Sequence, residues 1–350
     1  MSLQNVSPKI LLVKLSSLGD VLHNLPIVWD LRACLPEVQI DWVVEDGYIH
    51  LLHPLLSKDG FRGIDRIIPF GLRRWKKNLF KLQTWKEFFA FRKALQEVSY
   101  DVLIETQGLL KSALVCALAR KSPHAVVTGL ANATEFSGYE SVARAFYNQC
   151  VQVPKQCHAI DRSRWVMTAA LNWSLLDRQK NLTHFYPESY VAQLGSSEIS
   201  SDLRILKKPY ILCFHSTARE AKRWSNEHWI SLGQSLSSKG YQIVFPWGNS
   251  SEKKISVQLA SQIEGAIVPE AFSIQEAFPI IANAALTVGV DTGLTHLAAV
   301  LGKPTIEIYC DSPRWKTEGY WSDQIINLGD IKAPPTVDAA LSASLSLLAQ

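Results

Sequence analysis

Two short segments of the chain combine small residues with one aspartate directly after an apolar run. The first, Lys14–His23, reads KLSSLGDVLH and contains Asp20. The second, Val288–Leu297, reads VGVDTGLTHL and contains Asp291. Where a strand turns directly into a helix, unpaired backbone N–H groups and the positive end of the helix dipole point at one place. Both segments are candidates to bind phosphate or to position a carboxylate, although aspartate after a strand is also ordinary turn or capping chemistry.

Two more predicted strand ends in the second half carry polar residues. The loop HSTAREAKRW offers a hydroxyl at Thr217 and a cation at Lys222, which suit a phosphate group. The loop FPWGNSSE places Glu252 near a helix start, where it could accept hydrogen bonds from a ribose diol. Glutamate early in a helix more often serves the helix dipole, so this role has weaker support. Together with the Asp291 loop, three strand ends predict a site for a nucleotide diphosphate.

Other phosphate and nucleophile motifs are absent from the sequence. No G-x-G-x-x-G follows a predicted strand, and Gly108–Ser112 lacks the glycine spacing of a P-loop. No G-x-S-x-G elbow occurs. These absences disfavour nicotinamide and flavin enzymes, P-loop NTPases and serine hydrolases. His296, one helical turn after Asp291, could reach a pyrophosphate, but a histidine there is as often a packing or capping residue.

Strands are predicted to alternate with helices along the whole chain. Runs rich in Val and Ile, almost without polar alternation, are typical of parallel strands that are covered on both faces. Ten strands are predicted, at Ile10–Leu15, Gln39–Glu45, Ile64–Phe70, Asp101–Thr106, Ala125–Thr128, Pro209–Phe214, Tyr241–Pro246, Ala266–Val268, Leu286–Val290 and Pro304–Tyr309. Ser225 is expected to cap one of the helices, and Ser273 with Glu276 forms a capping box for another.

This alternation predicts an α/β protein with two Rossmann-like, doubly wound parallel-sheet domains that face a cleft. Ligands of such sheets bind outside the carboxyl ends of the strands. We expect an N-terminal domain at residues 1–175, a linker at 176–208 and a C-terminal domain at 209–350. The linker prediction rests on Asn181, Pro187, Gly195 and a serine-rich tract.

Composition and charge limit the classes of protein to consider. The 350 residues are 47% hydrophobic and 19% charged, which is ample apolar material for two cores. No apolar run approaches the ~18 residues of a membrane span, so we expect a cytoplasmic protein. The formal charge of +4 is too small to imply nucleic-acid binding. The six cysteines form no C-x-x-C pair, so neither disulfides nor a zinc site are expected.

Six motifs give the chain a resemblance to a known family. They are KLSSLGDVLHNLP from Lys14, DWVVE from Asp41, LRRWKK from Leu72, TQGLLKS from Thr106, PWG from Pro246 and VDTGLTHL from Val290. In this order they resemble the motifs of the lipopolysaccharide heptosyltransferases, especially those that add the first heptose. The resemblance runs from about Lys9 to Pro304 and implies the GT-B fold, with an acceptor-binding first domain and a nucleotide-sugar-binding second domain.

The resemblance also implies a reaction, an inverting glycosyl transfer. L-glycero-D-manno-heptose would move from ADP-heptose to the first 3-deoxy-D-manno-octulosonic acid (Kdo) of the lipid A inner core. Asp20 matches the family's catalytic base, and a partly desolvated setting that raises its pKa would suit that task. Lys222 matches the lysine beside the pyrophosphate. The fold class commonly works without a catalytic metal and the sequence shows no carboxylate cluster that demands one, so neither metal nor cofactor is expected.

Further positions of this chain match the family's donor-binding residues. They are Thr217, Lys222, Glu252, Phe272, Asp291, Thr292, Gly293, Leu294 and His296. Phe272 would pack on the adenine, although its alignment needs a small gap. Ala218 stands where a relative carries a second threonine, which removes one possible hydrogen bond to phosphate.

The stretch from Arg66 to Lys93 is strongly basic, with nine basic residues and Glu87 as its only acid. Kdo carboxylates and lipid A phosphates are anionic, and Trp75 and Phe80 could rest at the inner-leaflet surface of a membrane. The family resemblance adds acceptor-binding roles for Arg73, Arg74, Lys76 and Lys77, with Lys111 and His158 as weaker candidates. We expect a Kdo-lipid A acceptor and a protein that is peripheral to the inner membrane. The alternative is a solvated basic helix whose aromatic residues face the core.

Two other functions remain open from the sequence. A heptosyltransferase that adds a later core heptose would keep the donor loops and differ in its acceptor. A sugar-nucleotide epimerase, or a non-catalytic nucleotide-binding protein, could use the same two-domain architecture. An epimerase needs groups on both faces of one sugar carbon and no lipid acceptor, so the basic aromatic stretch argues against it.

Overall fold

Buried apolar strands form two separate parallel sheets. The computed structural model describes residues 7–57, 62–173, 185–195 and 209–350. The chain divides into two compact units, Met1–Tyr186 and Pro187–Gln350, and each contains one of the sheets. The predicted α/β class with two doubly wound parallel sheets is confirmed.

The first unit has a six-stranded sheet in the order β3-β2-β1-β4-β5-β6, and all of its strand pairs are parallel. Its strands are β1 (Lys9–Val13), β2 (Gln39–Glu45), β3 (Arg66–Phe70), β4 (Tyr100–Glu105), β5 (Lys121–Leu130) and β6 (Gln149–Val151). The strand order reverses between β1 and β4. In such sheets a crevice opens at this point, outside the carboxyl ends of the two strands.

Helices and short 3₁₀ turns connect these strands. The helices are α1 (Leu18–Leu22), α2 (Pro26–Cys34), α3 (Ile49–Leu52), α4 (Leu72–Lys77), α5 (Leu82–Gln96), α6 (Leu110–Leu118) and α7 (Ala159–Ala170). The 3₁₀ turns are Asp46–Tyr48, His53–Leu55 and Ser141–Phe146. One core cluster of this unit joins Leu11 and Leu103 of the central strands to Phe91 and Leu95 of α5.

The second unit has a five-stranded parallel sheet in the order β11-β10-β9-β7-β8. Its strands are β7 (Tyr210–Phe214), β8 (Gln242–Val244), β9 (Leu286–Val290), β10 (Thr305–Tyr309) and β11 (Ile325–Gly329). Its helices are α8 (Glu188–Gly195), α9 (Asn226–Ser237), α10 (Ser250–Ala260), α11 (Ile274–Ala282), α12 (Gly293–Val300) and α13 (Val337–Leu348), with 3₁₀ turns at Glu220–Lys222 and Arg314–Lys316. The order reverses between β7 and β9, so their carboxyl ends flank the crevice of this sheet.

Nine of the ten predicted strands are present, and the differences lie at the edges of the sheets. Ala266–Val268 is not a strand, because only Ile267 makes a bridge, to Val244. The edge strands β6 and β11 were not predicted. Gln149–Val151 is only three residues long, and Ile325–Gly329 is mostly half-buried, so neither has the continuous apolar pattern of a central strand.

Helix starts follow the predicted capping chemistry. Ser225 caps α9 by accepting from the backbone N–H of His228, and Ser273 and Glu276 form a capping box at α11. The predicted linker, 176–208, lies largely outside the described residues. Its described part contains α8, which packs against α11. Within the described residues, no helix is long and apolar enough to span a membrane.

A buried carboxylate in the first sheet is fully engaged by neighbouring strands. Asp41 of β2 is inaccessible to solvent and accepts from Tyr100 Oη at 2.6 Å and from Arg66 Nε at 2.9 Å. A buried charge without partners is costly, so these donors are what allow an aspartate inside a sheet. The triad links β2 to β3 and β4.

Tyr100→Phe removes one of these donors and should lower the free energy of unfolding of the first unit by ~1–3 kcal/mol, since the carboxylate stays buried. Hydrogen exchange of the amides in β2 would measure the change. Tyr320→Phe is the matched control, because it removes the hydroxyl of a tyrosine in the other unit that is 48% exposed. Equal exchange rates in wild type and Tyr100→Phe would contradict this account.

Candidate functional site

One glutamine ties the loop after β1 to the loop after β4. Gln107 Oε1 accepts from the backbone N–H groups of Leu15 at 2.9 Å and Ser16 at 3.2 Å, and its Nε2 donates to the Ser16 carbonyl at 2.5 Å. These two loops flank the point where the strand order reverses. Gln107 therefore fixes the backbone that leads into α1.

Asp20 lies in the first turn of α1, directly after this loop. Its Oδ2 accepts from the backbone N–H and the hydroxyl of Ser17, both at 3.0 Å, which makes a capping box. Its Oδ1 lies 3.5 Å from Lys14 Nζ and 3.6 Å from an Nη of Arg162. The side chain is 38% exposed. Asp20 thus caps the helix with one oxygen and offers the other to solvent and to two cations.

The pKa of Asp20 differs from what the sequence predicts. Burial alone would raise this pKa, but the charges of Lys14 and Arg162 and the hydrogen bonds from Ser17 outweigh it and hold the pKa well below its ordinary value. The raised pKa that would suit a base is therefore not found, because two buried cations face the carboxylate. Burial lowers the pKa of Lys14 to about 8, although Asp20 partly offsets this. Asp20 is consequently ionised at any physiological pH.

Arg162 is a site residue that sequence reasoning missed. It lies on α7, is almost completely buried, and donates to Thr134 Oγ1 at 3.3 Å. Its Nε has no hydrogen-bond partner within the described residues. No local pattern marks this arginine, since it lies far from Asp20 in sequence and only the tertiary fold brings α7 to α1. His158 precedes the same helix and caps it, with Nδ1 accepting from the Ile160 N–H at 3.2 Å.

Two of the predicted acceptor-binding cations meet at one carboxylate beside the Asp20 loop. Arg73 Nε lies 2.7 Å from one oxygen of Glu45, and Lys111 Nζ lies 3.0 Å from the other. Lys111 also donates to Ser16 Oγ at 2.8 Å. Glu45 ends β2 and is almost fully buried. The structure therefore places Arg73 and Lys111 next to the loop that carries Asp20.

The other predicted acceptor-binding residues lie on α4. Arg74 forms ion pairs with Asp46 at 2.6 Å and with Glu87. Lys76 and Lys77 are exposed. All of these cations belong to one short helix, so a single anionic partner could reach several of them.

The two aromatic residues predicted at a membrane surface have different positions. Trp75 is only 6% exposed, packs against Phe70 and Phe91, and donates from Nε1 to Glu87 at 3.0 Å. Its predicted membrane contact is wrong, because the ring belongs to the core. Phe80 is fully exposed.

In the second unit, the loops after β7 and β9 meet through an ion pair. Lys222 Nζ contacts Asp291 Oδ2, and Thr217 Oγ1 donates to the Asp291 carbonyl at 3.3 Å. Burial alone would raise the pKa of Asp291, but His296 and Lys222 hold it well below its ordinary value. The carboxylate of Asp291, the residue directly after β9, thus fixes the flexible side chain of Lys222 at the carboxyl end of this strand.

His296 joins this ion pair to a second buried carboxylate. Its Nε2 lies 3.1 Å from Asp291 and its Nδ1 lies 2.8 Å from Glu307, an inaccessible residue of β10. Since both ring nitrogens face carboxylate oxygens, both must donate, and only the imidazolium can do so. Burial alone would lower the pKa of His296, but Glu307 and Asp291 raise it to about 10. His296 is engaged inside the protein, which differs from its predicted contact with a donor substrate.

Glu307 was not among the predicted site residues. Its second oxygen accepts from Tyr309 Oη at 2.8 Å and from the Gly319 N–H at 3.0 Å. The sequence did contain an indication of its importance, because a glutamate within the buried strand TIEIY requires a hydrogen-bond or ion-pair partner. Its partner could not be read from the sequence.

A glycine allows α12 to start close to β9. A Cβ added at Gly289 would lie 2.0 Å from Thr295 Oγ1, which itself donates to the Val290 carbonyl at 2.8 Å. Any larger residue at position 289 would push the helix away from the strand. The close contact holds the helix start, with Thr292 as its cap residue and Gly293 and Leu294 in its first turn, beside Asp291.

Glu252 and Phe272 lie at the starts of other helices of the second unit. Glu252 Oε2 accepts from the Gly248 N–H and Oε1 accepts from Asn249 Nδ2, both at 2.7 Å. Asn249, not Glu252, is the N-cap of α10. Phe272 is half-buried and precedes the capping box of α11.

Two parallel-sheet units, each with polar residues at the point where its strand order reverses, are the architecture of a GT-B-like glycosyltransferase. A family model of glycosyltransferase family 9 (heptosyltransferase) matches residues 88–344. Lipopolysaccharide heptosyltransferase 1 of Pseudomonas aeruginosa is 33% identical, over 93% of this chain and 85% of the relative. The chain belongs to glycosyltransferase family 9, the heptosyltransferases.

Solved structures of one relative are similar over almost the whole chain. The E. coli heptosyltransferase WaaC with ADP has a TM-score of 0.77 and 30% identity, covering 97% of this chain and 99% of that one. The same enzyme with ADP-2-deoxy-2-fluoro heptose has a TM-score of 0.71 and 31% identity, covering 97% and 98%.

The charge state of His296 can be measured directly. A histidine whose pKa rises on folding contributes stability that is fully present below its unfolded pKa, ~6.5, and that is lost as pH rises through about 10. We expect the ring ¹⁵N signals of His296 to remain those of imidazolium from pH 6 to ~8.5. Glu307→Gln removes one of its carboxylates, so its pKa should fall and the loss of stability should start at lower pH.

His215 is the internal control for this titration. Burial lowers the pKa of His215 to about 4, so its ring should stay neutral over the same pH range. A neutral His296 ring at pH 7 in the wild-type protein would contradict the ion network described here.

Proposed function

We propose that the protein transfers L-glycero-D-manno-heptose from ADP-heptose to the first Kdo of the lipid A inner core, with inversion at the anomeric carbon. The observation that carries the proposal is the 33% identity, over nearly the whole chain, to a lipopolysaccharide heptosyltransferase 1. The similarity to WaaC with an ADP-heptose analogue supports the same donor.

In this proposal the second unit binds the donor. Lys222 neutralises the pyrophosphate, and Thr217 with the backbone N–H groups at the start of α12 donates to the phosphate oxygens. This part of the proposal is supported by the position of Lys222, since Asp291 holds it at the carboxyl end of β9. As ADP departs, negative charge develops on the phosphate oxygen, and a fixed cation stabilises that charge more in the transition state than in the ground state.

The nucleoside would contact the helix starts after β8 and before α11. Glu252 accepts one hydrogen bond on each carboxylate oxygen within the protein, which leaves a lone pair on each for a ribose hydroxyl. Phe272 offers a half-buried ring for the adenine. Ala218 supplies no side-chain donor, so Thr217 carries that contribution alone in this loop.

Asp20 acts as the base for the acceptor hydroxyl. A carboxylate with a lowered pKa is a weak base in the ground state, but the hydroxyl becomes much more acidic as its oxygen bonds to the anomeric carbon. Inverting glycosidases likewise use an ionised carboxylate to activate the attacking oxygen. An anionic acceptor that shares Lys14 or Arg162 would also draw these cations away from Asp20 and raise its pKa during binding.

The acceptor binds to the first unit, at the cytoplasmic face of the inner membrane. Arg73 and Lys111 lie beside the Asp20 loop, where they suit the carboxylate of Kdo. Arg74, Lys76 and Lys77, on the same helix as Arg73, suit the phosphates of lipid A. The exposed basic and aromatic stretch around Phe80 suits an anionic leaflet, to which the protein docks without spanning it.

Two substitutions separate the two chemical roles. Asp20→Asn keeps an oxygen that can accept from Ser17, so the cap survives while the base is lost; kcat should fall ~10²–10⁴-fold with the Kd of ADP-heptose unchanged. Asp101→Asn, at the amino end of β4, is the control and should leave kcat unchanged. Full turnover in Asp20→Asn would exclude this residue as the base.

Lys222→Ala should instead weaken both steps. The loss of the fixed cation should lower kcat by ~10²–10³-fold and also raise the Kd of ADP-heptose. Lys254→Ala removes an exposed lysine from α10 of the same unit and is the matched control. If Lys222→Ala changed the Kd alone, the lysine would have no part in stabilising the departing ADP.

The acceptor itself tests the whole proposal. With ADP-heptose as donor, product should form from Kdo2-lipid A and be detected by mass spectrometry as a gain of one heptose. Product formed only from an already heptosylated core would support the alternative that a later heptose is added. Transfer to no core acceptor, with ADP-heptose still bound, would support an epimerase or a nucleotide-binding protein.

A further inference from the structure

An apolar cavity of about 730 Å³ opens in the first unit between α4, α5 and α6. Sites for small molecules have volumes of ~300–1,000 Å³, so this one could hold a ligand. Its wall includes Phe70, Leu72, Trp75, Leu79, Trp85 and Leu114. These six apolar residues have no part in the transfer described above, whereas Lys76 and Lys111, which the proposed function gives to the acceptor, also line the cavity, so the cavity borders the proposed acceptor site.

Apart from the exposed Lys76, the polar groups of the wall are engaged inside the protein. Trp75 Nε1 donates to Glu87 at 3.0 Å, and Trp85 Nε1 donates to the Leu79 carbonyl at 3.1 Å. Glu140 accepts at 2.6 Å from a backbone N–H at the start of α6. A mostly apolar cavity in which nearly all polar groups are already engaged offers little to a sugar or to water, whereas it suits a hydrocarbon.

Helix α5, which forms one side of the cavity, has two apolar faces. Phe91 and Leu95 point into the core and are buried. Leu82, Trp85 and Phe89, at the spacing i, i+3 and i+7, are 72%, 50% and 57% exposed. A contiguous apolar stripe on the outside of a helix marks an interaction surface rather than a feature of folding. Trp85 belongs both to this stripe and to the cavity wall.

Cations accompany the stripe in and just before α5. The exposed ones that the proposed function does not assign to the acceptor are Lys81, Lys86, Arg92 and Lys93. Glu87, the only acid between Arg66 and Lys93, is already paired with Arg74. Apolar residues bordered by lysine and arginine are typical of a helix that lies in the interface of an anionic membrane. The positive charge beside the apolar stripe therefore favours a partner that combines an apolar part with an anionic head group.

We propose that one acyl chain of an anionic membrane phospholipid enters this cavity while the outer stripe of α5 lies in the leaflet. The inference rests on the membrane docking in the proposed function and names the group that the surface binds. A chain in a bilayer is already in apolar surroundings, so the gain comes from the cavity wall and the stripe, which leave water. The head-group phosphate then lies beside Lys81 and Lys86, next to the stripe, where it is partly neutralised.

Bromine quenching of tryptophan distinguishes a chain in the cavity from one that only lies on the surface. The full-length protein is mixed with phosphatidylglycerol vesicles whose acyl chains are either dibrominated or unmodified. Bromine quenches nearby tryptophans over a short range, and Trp75 lies in the cavity wall with only 6% of its surface exposed, so a bromine must come close to this wall to quench it. We expect Trp75→Phe to lose part of the bromine-dependent quenching shown by the wild type, and Trp85→Phe to lose another part. Loss in Trp85→Phe alone would overturn the inference, because chains would then touch only the stripe.

A cavity-filling substitution gives a second test. Ala117 is an exposed residue of the cavity wall, and Ala117→Phe should remove the quenching of Trp75 while vesicle binding persists in a co-sedimentation assay. Ala90→Phe adds the same ring at an exposed position of α5 outside the cavity and should leave the quenching of Trp75 intact. Undiminished Trp75 quenching in Ala117→Phe would overturn the inference.

Two further measurements identify the molecule in the cavity and test the cavity independently of the proposed function. Phosphatidylcholine vesicles should not quench Trp75, since they lack the anionic head group. Quenching of Trp75 by a brominated lipid A acceptor, but not by brominated phospholipid, would overturn the phospholipid as occupant. Heptose transfer to an acyl-free Kdo acceptor is measured in parallel, without vesicles. Transfer without Trp75 quenching defeats this inference alone, and Trp75 quenching without transfer defeats the proposed function.

Discussion

A row of alternating buried charges holds the candidate donor site of the second unit together. Lys222, Asp291, His296 and Glu307 follow one another as cation, anion, cation and anion. Each of these charges alone would be costly to bury, and each is stabilised by the next. Removing one leaves its neighbour uncompensated, so the row acts as a unit. Its consequence for chemistry is that the Lys222 ammonium group is held at the carboxyl end of β9.

In the first unit the candidate catalytic residue, Asp20, is more exposed than the buried charges of the second unit. Asp20 is half-exposed, and one of its oxygens is used to cap α1. Its other oxygen faces two cations, Lys14 and Arg162, and both are buried. The carboxylate is therefore kept ionised and fixed in direction, while one oxygen stays accessible. Capping and catalysis are compatible in one residue because a carboxylate has two oxygens.

The sequence analysis gave two alternatives for the aromatic residues of the basic stretch, contact with a membrane or burial in the core. In the structure some of them are exposed and others are buried. Trp75 packs in the core, as expected of an ordinary amphipathic segment, whereas Phe80, Leu82 and Trp85 face solvent among cations. Helix α5 itself buries Phe91 and Leu95 in the core and leaves an apolar stripe on its other face. An exposed apolar stripe of that kind is typical of an interaction surface.

The sequence by itself determined the strand–helix alternation, nearly all strands of the two sheets, the caps at Ser225 and Ser273 and the family. These features depend on local patterns, namely apolar runs, cap residues and short motifs, which can be read along the chain. It also indicated Lys222 and Asp291, because both lie in loops that follow buried strands. Their meeting follows from the strand order, in which β7 and β9 are neighbours.

Only the tertiary structure decided the charge states and the partners. The pKa of Asp20 falls rather than rises because the folded chain sets two cations beside it, first Lys14 and then Arg162, which reaches it on α7 from a distant part of the chain. His296 is an imidazolium because β10 places Glu307 beside it. Trp75 is buried and Trp85 is half-exposed although both lie in the same basic stretch. Electrostatic energy and burial depend on the distances between groups in space, and the spacing of residues along a sequence does not contain those distances.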